Sequence, residues 1–266
     1  MQTFTDLYKF RFVLTSLVSK NLKVLYRNAA LGLLWSLLNP LVMIVTLSVV
    51  WKYMFNADEN FTAMVLVALV PYNFVVYCLT GCASSIPGNA SLVKKIGFPR
   101  QILPISIIVT HLIHFGIQFT LVIGTLALFP HPGATIGLQL VWLIPIFIVQ
   151  LGLCIGGGLL VAGLNVLYRD VQYIIESLLT ILFWICPLIY EPRVMLLEGK
   201  VRYETLYNIY YLNPLSGILS AYRSVLYYGE APNATTFSIA IVGTVVIGIL
   251  GVWTFWRHEK EFADLI

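Results

Sequence analysis

Uncharged apolar runs of membrane-spanning length recur along this chain, and they constrain its fold more than any other feature. The hydrocarbon core of a bilayer is about 30 Å thick, which a helix rising ~1.5 Å per residue crosses in about 20 residues. Six runs reach or approach that length: Leu31–Trp51, Phe61–Ser84, Ile102–Phe129, Ile136–Leu167, Val171–Ile189 and Thr235–Trp256. The third and fourth exceed one membrane thickness and must tilt, kink or project beyond the lipid. Pro104 and Pro145 lie near their starts, and Gly156, Gly157 and Gly158 lie inside the fourth. With 59% of residues hydrophobic and only 11% charged, a water-soluble domain could not hide the apolar surface.

The basic residues set an expected orientation. With the N-terminus inside, six spans put Lys9, Arg11, Lys20, Lys23, Arg27, Lys94, Lys95, Arg100, Arg169, Arg257 and Lys260 on the cytoplasmic side, eleven of the sixteen. Lys52, Arg193, Lys200, Arg202 and Arg223 fall on the other side, so the positive-inside rule predicts both termini in the cytoplasm. Anionic lipid headgroups suffice to explain the net charge of +4, and no nucleic acid is required. Met1 to Thr5 carries no basic n-region and no cleavage site follows, so insertion is expected to rely on the spans themselves. Cys78, Cys82, Cys154 and Cys186 lie within apolar runs without the paired spacing of a zinc site and read as buried small residues.

The first 28 residues do not span. Leu7, Phe10, Leu14 and Leu17 recur at helical spacing while Lys9, Ser16, Lys20, Lys23 and Arg27 take the other side, which predicts an amphipathic helix lying in the interface. It serves as a membrane-surface anchor, as a rim that holds a cytoplasmic partner or lipid headgroup, or as both.

Several strings then occur in order. A basic segment leads through Tyr26 and Arg27 to Leu31-Gly32, Trp35 and Pro40-Leu41, and "NASLVKKIGFPRQILP" runs from Asn89 to Pro104. Arg169-Asp170 precedes the fifth run, which ends in "FWICPLIY" at Phe183–Tyr190. Asn213-Pro214-Leu215 and Tyr222-Arg223 follow, and the chain closes with "FADLI" at Phe262–Ile266. On these strings, over almost its whole length, the chain resembles the membrane subunits of type-2 ABC exporters of cell-surface polysaccharides such as O-antigen and teichoic acid. The resemblance implies a symmetric homodimer, two copies of a separate soluble ATPase docked beneath it, and a lipid-linked glycan as cargo. It further implies the cytoplasmic membrane of a prokaryote. ATP and magnesium would be bound by the partner, because no G-x-x-x-x-G-K-S/T string exists here to cradle nucleotide phosphates.

The residues suggest where each task falls. Asn89, Lys94, Lys95, Phe98, Pro99 and Arg100 form a short loop with three positive charges, and Phe98 is an apolar knob suited to a pocket on the ATPase. The bland reading is that the cations follow the positive-inside rule and Phe98-Pro99 merely opens the third span. Between the fifth and sixth runs, Leu206–Leu212 and Leu215–Leu226 are too short to cross a bilayer separately. They predict a re-entrant hairpin turned at Asn213-Pro214, read either as an external gate or as an amphipathic pad. The gate would comprise Tyr207, Tyr210, Tyr211, Asn213, Pro214, Tyr222 and Arg223.

Aromatic faces suit sugar C–H surfaces, which nominates Trp35, Tyr72, Tyr77 and Trp184 for a translocation path, although most Tyr and Trp near an interface are belt residues. Glu176 joins them on a stripe with Asp170, Tyr173, Ser177, Thr180 and Trp184, unless it lies near the headgroups. Lys23, Arg27 and Lys94 are candidates to receive a lipid pyrophosphate. His111 and His114 read as polar packing, with no third ligand to make a metal site.

The expected fold is therefore a single all-α integral membrane domain: an interface helix over 1–28, five spans over 29–190, the outer hairpin over 191–232, a sixth span over 233–257 and a cytoplasmic tail over 258–266. The expected function is the channel-forming permease of an ABC exporter of a lipid-linked polysaccharide. Export of a small lipid or drug stays open, as do an ion-coupled secondary transporter and a membrane-embedded glycolipid transferase, although scattered acids and the lack of a clear internal repeat argue against the last two.

Overall fold

The computed structural model describes residues 9–25, 35–55, 61–95, 98–128, 137–190 and 204–266. Regular structure among them is helical throughout. The main helices are α1 (Arg11–Leu25), α2 (Trp35–Phe55), α3 (Phe61–Ser85), α4 (Ala90–Lys95), α5 (Ile102–Leu128) and α6 (Leu143–Leu167). They continue as α7 (Val171–Ile185), α8 (Glu204–Tyr211), α9 (Pro214–Leu226), α10 (Ala234–His258) and α11 (Phe262–Leu265).

Four helices among the described residues are long and apolar enough to cross a membrane: α3, α5, α6 with its preceding 3₁₀ turn, and α10. Of the other two apolar runs, α7 is shorter than expected. α7 stops at Ile185 after 15 residues, about 22 Å of helix, because Cys186 turns to an extended backbone ahead of Pro187. The first run is described from Trp35 onward as α2, 21 residues or about 31 Å of helix, of which Leu41–Met54 is the apolar stretch described in full. Pro104 and Pro145 fall in the first turns of α5 and α6, where a missing N–H costs nothing, so neither kinks its helix.

Lipid tails are as apolar as leucine, so burial alone does not drive these helices together, and close packing and interhelical hydrogen bonds must do it. The glycines supply the first. α6 and α10 form the most extensive helix contact, and a Cβ built on Gly251 would lie 2.0 Å from the Gly156 carbonyl oxygen. One on Gly156 would lie 2.5 Å from the Gly248 Cα. At Gly217, where α9 crosses α10, an added Cβ would meet the Thr236 carbonyl at 2.8 Å.

Buried amides supply the hydrogen bonds. Gln150 on α6, fully buried, donates from Nε2 to the Pro71 carbonyl of α3 at 2.8 Å and accepts the Tyr222 hydroxyl of α9 at 2.6 Å. Asn165 donates to the Ala83 carbonyl at 2.8 Å and accepts the Gln172 N–H at 3.0 Å, fixing the elbow between α6 and α7 against α3.

The expected helix pair before the last span is present. α9 starts at Asn213, whose side chain accepts the Leu215 N–H at 3.1 Å, with Pro214 in the first turn. α9 is buried along most of its length and packs on α3, α6 and α10. α1 lies against α5 through Leu17, Val18 and an Asn21 to Ser106 hydrogen bond of 3.4 Å, while Phe12, Lys20 and Lys23 stay exposed.

Candidate functional site

Contacts gather four separate pieces of the chain at one end of the bundle. Lys20 of α1 donates to Asn89 Oδ1 at 2.8 Å, and Asn89 Nδ2 donates in turn to the Ser85 carbonyl at 2.8 Å. The α6–α7 elbow arrives through Asn165 and Ala83, two residues before Ser85. The C-terminal residues arrive through Glu259, whose Oε1 accepts the Arg100 N–H at 3.0 Å. Lys20, Lys94, Arg100, Arg169, Arg257 and the tail therefore share one end, as the distribution of positive charge in the sequence predicts.

Within this end, the loop residues divide. Lys94 is exposed, Pro99 and Arg100 are half-buried, and the Lys95 side chain lies outside the described set. Asn89 is half-buried and engaged with Lys20, so it braces α1 instead of presenting its amide. Phe98 corrects the expectation of an apolar knob. It is only 8% exposed and belongs to the same buried cluster as Val93, Ile102 and Phe262. The face this element offers outward is thus cationic.

An open groove runs along α1 beside it, lined by Thr15, Ser16, Ser19, Lys20, Lys23 and Val24. Hydroxyls and two ammonium groups on one apolar-backed surface suit an anionic oxygen-rich group at an interface. Arg27 lies outside the described residues.

A second exposed surface is the flank of α7. Tyr173, Glu176, Ser177, Thr180 and Trp184 are all exposed, and Glu176 accepts a 3.2 Å hydrogen bond from Gln172. Leu179 is the helix's one buried side chain. The sequence reading of Tyr72 is corrected here: it is 4% exposed and its hydroxyl donates to the Leu179 carbonyl, so it ties α3 to α7 instead of facing a path. Tyr77 is 36% exposed and stacks on His111 at 5.7 Å, with His114 another 6.0 Å from His111. No group of three or more metal-ligating side chains occurs among the described residues. The Trp35 side chain lies outside the described set.

Tyr72→Phe removes the donor and keeps the ring. We expect a loss of about 1 kcal/mol, read as a thermal midpoint lowered by a few degrees in the detergent-purified protein, with transport capacity retained.

At the opposite end, the residues expected to form an outer gate are mostly internal ties. Tyr222 is 1% exposed and bonded to Gln150, and Arg223 is 3% exposed. The Arg223 guanidinium donates to the carbonyls of Tyr190 and Leu188, each at 2.7 Å, and so pins the segment after α7 to α9. Tyr210 and Tyr211 are buried, edge-to-face at 5.0 Å, while Asn213 and Pro214 are half-buried at the turn. The Tyr207 side chain lies outside the described set.

Three residues that organise both ends escaped notice in the sequence: Gln150, Asn165 and Glu259. Two of them had a signal, since an amide inside an otherwise apolar run is costly in lipid and must find a partner within the protein.

Comparison with known proteins places this arrangement. The model of the family described as "ABC-2 type transporter" matches residues 13–227. The chain is 30% identical over 266 residues to the O-antigen export system permease protein RfbA of Myxococcus xanthus, covering 98% of each chain. It is 25% identical over 256 residues to a protein of the same name from Klebsiella pneumoniae, covering 96% of this chain and 95% of that one.

Proposed function

The chain belongs to the ABC-2 type transporter family, and from that premise we propose that it is the channel-forming permease of an exporter carrying a lipid-linked polysaccharide, an O-antigen or similar glycan, across the cytoplasmic membrane. One observation carries this reading furthest: the similarity to a protein named as an O-antigen export permease extends over 98% of both chains and is not confined to one shared segment. A transporter subunit of this family works with an ATPase chain, which binds ATP and magnesium. The collected cationic end, with Lys94, Lys95, Pro99 and Arg100 beside Asn89 and the braced Phe98, is the surface on which that ATPase docks, facing the cytoplasm together with both termini.

Two copies complete the transporter, since closed twofold pairing is the commonest assembly and the exposed flank of α7 carries polar and aromatic side chains suited to a path between them. Glu176, Trp184 and Tyr77 then border the path between the copies, and Trp35 is a further candidate. α2 and the shorter α7 bring the membrane passages to six. α8 and α9 form the re-entrant outer hairpin, whose turn at Asn213-Pro214 lies at the outer end of the path and whose buried Tyr210 and Tyr211 hold it in place. Nucleotide binding draws the two docking ends together and moves the helices as near-rigid bodies, opening the channel. Lys23 in the α1 groove, with Arg27 and Lys94, receives the lipid pyrophosphate before passage.

Native mass spectrometry of the gently solubilised protein from its own host tests the composition. Two copies of this chain leaving the detergent with two ATPase chains is the expected result, and a lone chain without a partner would overturn the reading. For the headgroup site, Lys23→Glu in that complex is expected to lower export several-fold while the ATPase remains bound. Unchanged export would remove Lys23 from the path.

A further inference from the structure

Glu259 occupies a position that its own helix does not explain. It follows the C-terminus of α10, where the partial negative charge of the helix end disfavours a carboxylate. Its Oε1 instead accepts the Arg100 N–H at 3.0 Å, at the turn that opens α5, where the partial positive charge of the helix start favours it. The residues that follow continue the attachment. His258 and Glu261 pair at 3.1 Å across the turn out of α10, and Phe262, with no exposed surface, sits edge-to-face on Phe255 at 5.2 Å. α11 then packs on both α4 and α6. Residues Glu259–Ile266 thus attach to α4 and to the turn at Arg100 and connect both to α10, the helix most tightly clasped to α6.

We infer that the segment Glu259–Ile266 is a strut that fixes the docking element to α10 and α6, with the Glu259 carboxylate as its positioning group. This rests on the proposal that Ala90–Arg100 is where the ATPase docks. A loop that carries force between two chains must not slide on its own scaffold, and α4 is only six residues long, held from within by Val93 and Phe98. The strut adds a second attachment from outside: an apolar anchor at Phe262 for position, and a charge-assisted hydrogen bond at Arg100 for register. Movement of the loop then becomes movement of α10, and through the glycine contact, of α6.

The test uses the complete complex of permease and ATPase reconstituted in lipid, with Glu259→Gln, Glu259→Ala and Glu259→Asp compared to the unaltered chain. Three quantities are read: glycolipid exported per ATP hydrolysed, the amount of ATPase bound, and the thermal midpoint of the permease. Glu259→Ala is expected to lower export per ATP about five-fold, the size of a lost charge-assisted helix-end contact. Glu259→Gln, which keeps an acceptor without the charge, falls between, Glu259→Asp recovers part of the loss, and the thermal midpoint stays within a few degrees. Export per ATP unchanged in Glu259→Ala overturns the strut. So does a loss of coupling in all three variants that only follows their loss of thermal stability, since that is the mark of a merely structural tie. An unaltered permease that binds no ATPase overturns the docking proposal itself, and is distinguished by failing before any substitution is made.

Discussion

Gly251→Leu is expected to abolish accumulation of the protein in the membrane. The Cβ of any larger residue at 251 would stand 2.0 Å from the Gly156 carbonyl oxygen and 3.2 Å from the Leu160 nitrogen, both backbone atoms of α6. Side chains can rotate away from a new neighbour, but two helix backbones can only separate. Separation would forfeit the most extensive contact in the fold. Overpacking at yielding sites costs roughly 1–3 kcal/mol, and here nothing yields, so about 4 kcal/mol or more is the expected loss. Gly251→Ala already introduces the clash and should follow the same direction. The control lies one turn away: a Cβ on Gly248 meets nothing within 4 Å, so Gly248→Ala is expected to leave both membrane abundance and the thermal midpoint near wild type. Equal tolerance of the two alanine variants would contradict the α6–α10 packing described above.

Arg223→Met is expected to cost roughly 2–5 kcal/mol, since two buried carbonyls lose their donor at once. Both Leu188 and Tyr190 lie in the segment that joins α7 to the outer helices, and each carbonyl accepts one guanidinium nitrogen at 2.7 Å. The two acceptors are satisfied by the planar fork of arginine, which a single ammonium cannot reproduce. Arg223→Lys should therefore recover less than half of the lost stability although it restores the charge. Thermal unfolding of the three purified proteins separates the roles: a lysine variant as stable as wild type would mean that charge, and not the bidentate clamp, is what position 223 supplies.

Arg223 also shows what the sequence could and could not reveal. Lipid constrains the length and apolarity of a helix, so α3, α5, α6 and α10 are legible as runs, and Asn213-Pro214 announces the start of α9 through its cap chemistry. The same solvent hides which face turns inward, because a lipid-facing and a protein-facing leucine look alike. In sequence Tyr72, Tyr222 and Arg223 suit the lining of a path or gate, and in the structure each is buried against a specific carbonyl or amide. Phe98 looks like an exposed knob in a short cationic loop, and is instead part of the buried apolar cluster. Charge carried the better signal: loops separated by most of the chain, but alike in Lys and Arg, do meet at one end of the bundle.

The most direct test of the whole mechanism is the movement of a labelled lipid-linked O-antigen glycan across a reconstituted bilayer containing this chain and its ATPase. Transport that requires both chains and hydrolysable ATP, and that is indifferent to an imposed proton or sodium gradient, is the predicted result. Transport by this chain alone, driven by such a gradient, would contradict it.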